Sequence, residues 1–330
     1  MNKLNKLVAV LLVAILSIGL VACGSKNGNN SQGNNPGNTQ TPASSTPEAT
    51  ANATSTPEAK VSYPVTITDS FGKTITLDKE PQKIISVAPN VTEMLYKLGV
   101  EDKLVGRTDY CDYPAEVSKV ESIGTLNSPD IEKIISLEPD VVITSTHFDE
   151  ANTAKLEAAG IQVIGLYEEN QVTGVYTMIE ILGTAVNKEA EAAQTVEEMK
   201  ATVDEVTEKV KGLEQPSVYY VVSYGESDYS APDNTFIGQM IKMAGGSNIV
   251  PASDSWAYSL EALIEADPDI IVIRKGEKEA FCSSAAYKEL TAVKEGKVYE
   301  IDNNLLDRQG YRNAEGLKEL ATIFHPEAFK

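Results

Sequence analysis

Hydrophobic and polar positions along this chain follow two rhythms. Short apolar runs such as Val141-Val142-Ile143 and Ile270-Ile271-Val272-Ile273 show no polar alternation, the pattern of parallel strands covered on both faces. Between such runs, apolar residues recur three and four positions apart, as on a helix buried along one side. The two rhythms meet in a unit that occurs twice, Asp130 to Thr144 and again Ser259 to Ile273. Glu132, Ile135, Pro139 and Asp140 in the first copy match Glu261, Ile264, Pro268 and Asp269 in the second. Each copy predicts a short helix, a Pro-Asp turn and a buried strand. In the first, Ser128 suits the N-cap and Pro129 the first helical position. Ile131, Ile134 and Ile135 then share the inward face, and Glu132 points off it. One supersecondary unit used twice predicts two similar lobes.

The rest of the pattern fits that frame. Val65 to Leu77 alternates around Asp69-Ser70-Phe71-Gly72 and predicts a β-hairpin. A strand over Lys83–Ala88 is followed by a helix with Asn90 as cap and Glu93 three residues on, burying Met94, Leu95 and Leu98. Gly99 ends that helix and a strand opens at Leu104. The same sequence of helix, glycine and short strand returns between Met240 and Val250. Val172, Val175, Ile179, Leu182 and Val186 form one apolar stripe, broken at Asn187. A long helix then runs over Lys188–Lys211, burying Ala193, Val196, Val203, Val206 and Val210, and its length is roughly 36 Å. Ser217 to Val222 opens the second lobe. The fold class is therefore α/β: two similar lobes with mainly parallel sheets, joined by one long rigid α-helix. The boundaries are 61–187 for the N-terminal lobe, 188–211 for the linker helix and 212–330 for the C-terminal lobe. Lobes braced in this way should hinge little.

Residues 1–60 have a different character. Lys3 and Lys6 precede an apolar run from Leu7 to Leu20 and then Cys23, which reads as a secretory signal over 1–22. The run is short of the roughly 20 apolar residues of a membrane span. Its end, Leu20-Val21-Ala22-Cys23, resembles the lipobox of bacterial lipoproteins, which implies lipidation of Cys23. Residues 23–60 are rich in Asn, Gly, Ser, Thr and Pro and nearly repeat themselves (Ser45 to Thr50, Ser55 to Lys60), the composition of a disordered tether. Its ends would lie on the order of 30 Å apart. The expected location is the cell membrane, on its extracytoplasmic face, by a lipid anchor. With 48 acidic and 28 basic residues and a formal charge of −20, the chain lacks the basic footprint of a nucleic-acid binder. Cys111 and Cys282 fall in different lobes and are expected to be free thiols.

In open parallel sheets, ligands bind beyond the carboxyl ends of the strands. The segments that follow the strands here are Asp109 to Tyr113, Ser145 to Phe148, Tyr224 to Tyr229, the region of Trp256 and Tyr258, and Asn303 to Arg312. They concentrate aromatic and amide side chains, which suits a large, flat, amide-bearing ligand. The nucleophile elbow, the phosphate-binding glycine loop and the Cys-x-x-Cys pair are all missing from the sequence, so no enzyme is expected. The sequence holds two histidines, His147 and His325, which excludes a three-imidazole metal site and leaves no direct metal site to assign. His147 is the imidazole placed to act as an axial ligand to a metal carried in a macrocycle.

From Tyr63 to Lys330 the chain resembles the substrate-binding proteins of ABC importers for iron-siderophores, haem and cobalamin. The resemblance is carried by Pro64 to Gly72, Lys83 to Glu93, Asp130 to Asp140, Ala292 to Tyr299, and the tail from Arg308 to Pro326. It implies the two-lobed class III periplasmic-binding-protein fold, with a permease dimer and ATPase subunits as partners. It also implies that Glu132 and Glu261, one from each lobe, dock on permease arginines. Gly106 to Pro114 is similar to a loop of the cobalamin binders in which a tyrosine, here Tyr110, packs on the corrin. The resemblance points to Tyr110, Tyr224, Trp256 and Arg308, and with His147, Tyr229 and Asn304 from the segments after the strands these make the expected ligand-binding set. The expected cargo is cobalamin or a related corrinoid, the alternatives being an iron-siderophore or haem and, from another class, a surface-tethered enzyme. The metal chelate is cargo, no resident cofactor is expected, and the chain is expected to act as a monomer.

Overall fold

Two parallel sheets with the same strand order are set on a common helical spine. The computed structural model describes residues 62–330 apart from 147 and 169. The signal segment, Cys23, the tether and His147 therefore lie outside the described residues. The chain opens with a hairpin of β1 (Val65–Thr68) and β2 (Thr74–Leu77), paired antiparallel as the alternation predicts. The first lobe follows with β3 (Ile84–Ser86), α1 (Pro89–Lys97), β4 (Leu104–Arg107), α2 (Ile131–Ser136), β5 (Val141–Thr144), α3 (Glu150–Ala158) and β6 (Gln162–Gly165). Its strands pair in the order β4-β3-β5-β6, all parallel.

Two helices then cross the molecule, α4 (Gly174–Ala185) and α5 (Glu189–Val210). The second lobe contains β7 (Ser217–Val221), α6 (Phe236–Met243), β8 (Ser247–Asn248), α7 (Leu260–Ala266), β9 (Ile270–Arg274), α8 (Lys278–Ser283), α9 (Thr291–Lys294), β10 (Val298–Ile301), α10 (Asn304–Asp307) and α11 (Asn313–Phe324). Its sheet order, β10-β9-β7-β8, is the order of the first lobe under the exchange of β7, β8, β9 and β10 for β3, β4, β5 and β6. The helix-to-strand turns echo each other as well, with Gly99 at φ 68° and Gly245 at φ 82°, a left-handed conformation that favours glycine.

The repeated aspartates explain part of the repetition. Asp140 Oδ2 accepts from the backbone N–H of Gln82 (2.8 Å) and of Lys83 (3.0 Å), at the start of β3. Asp269 Oδ2 accepts from the N–H of Ser217 (2.8 Å) and its hydroxyl (2.7 Å), at the start of β7. In each lobe the aspartate before one strand holds the first residues of the strand beside it. The Ser217 hydroxyl and N–H keep the Asp269 carboxyl below the usual carboxylate range. Burial pushes Asp140 the other way, but Lys79 and the two N–H groups outweigh it and its carboxyl is also lowered.

Alternate residues of the central strands feed different cores. Ile84, Val141, Ile143, Val218, Tyr220, Ile270 and Val272 face one continuous cluster shared with α4, α5 and α11. Ile85 and Val142 face a core under α2 and α3, and Tyr219, Val221, Ile271 and Ile273 face its counterpart in the second lobe. The spine is therefore shared core rather than a bare rod. At 22 residues, α5 is roughly 33 Å long.

Three local expectations need correction. The helix predicted from Ser128 starts later: Asp130 is the N-cap of α2, its side chain accepting from Lys133 N at 2.9 Å, and Pro129 pairs with Gly124 instead. The buried face of α5 begins with Ala192 and not Ala193, one position out of register. At α1 the N-cap is Ala88, with Pro89 in the first turn, and neither Asn90 nor Glu93 caps it. Both side chains are engaged across the lobes instead.

Candidate functional site

The last loop of the second lobe closes against the first. Glu93, on α1 and 3% exposed, lies between Arg308 Nη1 at 2.8 Å and Arg312 Nη1 at 3.3 Å. Burial raises the Glu93 carboxyl above its ordinary value, and the two arginines work against that rise. Arg308 also reaches Asp112 (2.7 Å), and Arg312 reaches Asp302 (3.3 Å) while its guanidinium sits 4.2 Å from the Tyr113 ring centre. Between the arginines, the Gln309 side-chain amide clasps the backbone of Glu168, accepting from its N–H at 3.1 Å and donating to its carbonyl. Asn90 Nδ2 donates to the Gln309 carbonyl at 3.1 Å. The two lobes are thus pinned by charge and amide pairs at the base of the gap between them.

Above this clasp lies an inter-lobe cleft of about 320 Å³. From the first lobe it takes Tyr167 and Asn170; from the second it takes Asn234, Thr235, Ser253, Asp254 and Trp256, and, from α10 and the residues after it, Asp307 and Gln309. Asn170 and Asn234 supply amides and Ser253 a hydroxyl, while the Gln309 amide is held by Glu168 and the Thr235 hydroxyl caps α6, donating to the Pro232 carbonyl (2.7 Å) and accepting from Gly238 N (3.2 Å). Asp254 and Asp307 are carboxylates, and among the described lining residues there is no lysine or arginine. The protein walls around Asp307 raise its carboxyl, although Asn303 and the Tyr220 hydroxyl both donate to it.

The aromatic loop of the second lobe is held by a buried pair behind it. Tyr287 donates its hydroxyl to Asp228 Oδ1 at 2.6 Å, and Gly225 N donates to the same oxygen at 3.1 Å. Burial first, and Asp228 second, push the Tyr287 phenol up to about 12. Tyr258 N donates to the Asp228 carbonyl (3.0 Å) and Ser230 N to the Trp256 carbonyl (2.9 Å), so the segments carrying Tyr229 and Trp256 run side by side. Trp256 keeps 38% of its surface exposed and Tyr229 keeps 40%.

The residues expected from sequence divide accordingly. Trp256 lines the cleft. Tyr110 and Tyr229 are exposed rings on loops beyond strand ends. Tyr224 is turned into the second lobe's own core, edge-on to Phe281 (5.1 Å) and Tyr287 (5.7 Å). The Arg308 guanidinium, 14% exposed, is engaged by Glu93 and Asp112. Asn304 sits at the start of α10, one turn from Asp307, which lines the cleft in its place. Tyr167, Asn170 and Asn234 lie outside the segments singled out from sequence, while Asp307 and Gln309 fall within Asn303 to Arg312 without having been named. Tyr167 had a readable signal, because it follows β6 and strand ends mark the binding side.

The family profile described as periplasmic binding protein matches residues 84–305. This chain belongs to that family. It is 37% identical over 276 residues to the uncharacterized ABC transporter substrate-binding lipoprotein YvrC of Bacillus subtilis, covering 81% of this chain and 88% of that protein. It is 29% identical over 279 residues to a cobalamin-binding protein of Halobacterium salinarum, covering 80% of this chain and 75% of that one. Among solved structures, the vitamin B12 binding protein BtuF of Vibrio cholerae shares the fold at a TM-score of 0.67 and 22% identity, over 76% of this chain and 98% of BtuF. As a periplasmic binding protein of the class III fold, this chain is the solute-binding component of an ABC importer and not an enzyme.

Proposed function

We propose that this periplasmic binding protein is tethered outside the cell by lipidated Cys23, captures a corrinoid such as cobalamin in the inter-lobe cleft, and delivers it to the permease. The observation that carries the reading is the character of the cleft: amides, hydroxyls and two carboxylates beside apolar Phe236, Ile237 and Leu306 and the rings of Trp256 and Tyr167, with no cation among the described lining residues. A corrin is flat and rimmed with amides. Its faces suit aromatic rings, and its amides find both donors and acceptors in Asn and Ser, and acceptors in the carboxylates. Haem propionates and ferric citrate carry carboxylates, which would meet Asp254 and Asp307 and find no arginine, since Arg308 is already paired. The likeness to a cobalamin-binding protein of Halobacterium salinarum supports the same reading.

Glu132 and Glu261 complete the proposal. Both are exposed, on the first turns of α2 and α7, at equivalent positions of the two lobes. A pair of like charges placed by the fold's own repetition suits docking on paired arginines of a permease dimer.

The test is competitive binding to the purified protein, read by the distinct absorption of each chromophore after gel filtration. Cobalamin is expected to co-elute and to resist displacement by haem or ferric citrate. Displacement of cobalamin by either competitor, or co-elution of haem alone, would overturn the corrinoid reading.

A further inference from the structure

Beside the cleft, the first lobe carries a second cavity of about 580 Å³. It opens at the carboxyl ends of β5 and β6, between α3 and the hairpin turn, and is lined by Phe71, Phe148, Thr144, Thr146 and Thr153 among others. A pair of rings links cleft and cavity. Tyr167 lines the cleft, Phe71 lines the cavity, and the two stack with centroids 6.2 Å apart and planes 11° from parallel.

Phe71 is 60% exposed, the most of any large hydrophobic side chain among the described residues. It is nonetheless held in place. Buried Asp69 accepts from Phe71 N (3.0 Å) and Lys73 N (2.9 Å) through one oxygen, and from Gly165 N (3.0 Å) through the other. Ser70 N donates back to the Gly165 carbonyl at 3.0 Å, so the hairpin turn is fixed to the end of β6. A Cβ at Gly165 would lie 2.3 Å from Phe71 Cδ2, so bare backbone is what admits the ring there. An aromatic ring kept exposed and pre-positioned beside a binding cleft has the character of a contact awaiting its partner.

We propose that this cavity is a second arm of the cargo site, taking the flat aromatic base that a complete corrinoid carries on its nucleotide arm, in the form in which the cobalt–nitrogen bond to that base is broken and water takes the vacated cobalt position. The inference rests on the corrinoid reading and deepens it. The cleft alone is at the low end of the ~300–1,000 Å³ typical of small-molecule sites, small for a macrocycle with an appended nucleotide. The second cavity is larger, and the stacked Tyr167–Phe71 pair has one ring on each. Phenylalanine faces favour a stacked heterocycle, while the Thr144 and Thr153 hydroxyls are turned to the Ile164 and Asp149 carbonyls, so stacking and not hydrogen bonding would hold the base. Glu150 and the Lys73–Glu157 ion pair at the cavity suit a neutral base and would leave the arm's phosphodiester outside it.

The experiment compares cobalamin with cobinamide, which has the same corrin but no nucleotide base, on wild type and two variants. Wild type is expected to bind cobalamin about tenfold more tightly than cobinamide, the scale of one base stacked on an aromatic ring. Thr153→Trp fills the cavity from α3 without touching the ring pair. It should bring the cobalamin Kd to that of cobinamide and leave the cobinamide Kd unchanged. Phe71→Leu keeps an apolar contact on Tyr167 but loses the flat face, and should shift the same ratio less far. An unchanged cobalamin-to-cobinamide ratio in both variants, or an equal loss for both ligands, would overturn the second arm while leaving the corrinoid reading standing. Binding of neither ligand by wild type would instead remove the corrinoid reading, and the second arm with it.

Discussion

A carboxylate that is 3% exposed must be paired or protonated, and Glu93 is paired twice. Removing its charge leaves the largely buried Arg308 and Arg312 with Asp112 and Asp302 as their remaining carboxylate partners. Glu93→Gln should therefore destabilise the protein by about 3 kcal/mol, the lower end for breaking a buried pair because two partners remain. A urea midpoint unchanged from wild type would contradict this. Tyrosines give a pH dependence of definite sign. The Tyr287 phenol titrates near 10.0 when free and is pushed up to about 12 here, and burial raises Tyr219 as well. The native chain then holds these protons longer than the unfolded one, so their stabilisation is complete below pH 10 and is lost as pH rises toward about 12. Urea midpoints followed alongside tyrosinate absorbance should fall together over that window; a flat midpoint would contradict the assignment.

At the scale of elements, the repeated aspartates are the sharpest case. Asp140→Ala and Asp269→Ala each leave two strand-initiating donors without their acceptor and should each cost about 1–3 kcal/mol. The sites lie in separate lobes with no shared partner, so the double variant should equal the sum within about 0.5 kcal/mol. Strong non-additivity in chemical denaturation would show that the two corners are coupled. This repeat was legible in the sequence because strands covered on both faces must be apolar throughout, as Val141 to Ile143 and Ile270 to Ile273 are. The cap positions were less legible, since Ser128, Asp130 and Asn90 are all competent caps and tertiary contacts choose among them. Glu93 read as a capping residue because its partners are more than two hundred residues away in the chain. The cleft was legible only in outline. Its lining comes from short polar segments around residues 167, 234, 254 and 307, whose side chains look like solvated loop until the two lobes face each other.

For the whole molecule, the shared core along α4, α5 and α11 and the Glu93 clasp both oppose a wide hinge motion. A binding protein with a largely preformed cleft needs its permease to recognise both lobes at once. Glu132→Lys with Glu261→Lys should abolish corrinoid uptake by cells while leaving the affinity of the purified protein within about twofold, since both residues are exposed and outside the cleft. Undiminished uptake would remove the docking role. The central claim, that the cargo occupies the gap between the lobes, has a built-in reporter because Trp256 is the only tryptophan in the sequence and lines that gap. Titrating the protein with cobalamin while following tryptophan fluorescence should give quenching that saturates at one equivalent. If equilibrium dialysis shows cobalamin bound while Trp256 emission stays unchanged, the cargo lies elsewhere and the account is wrong.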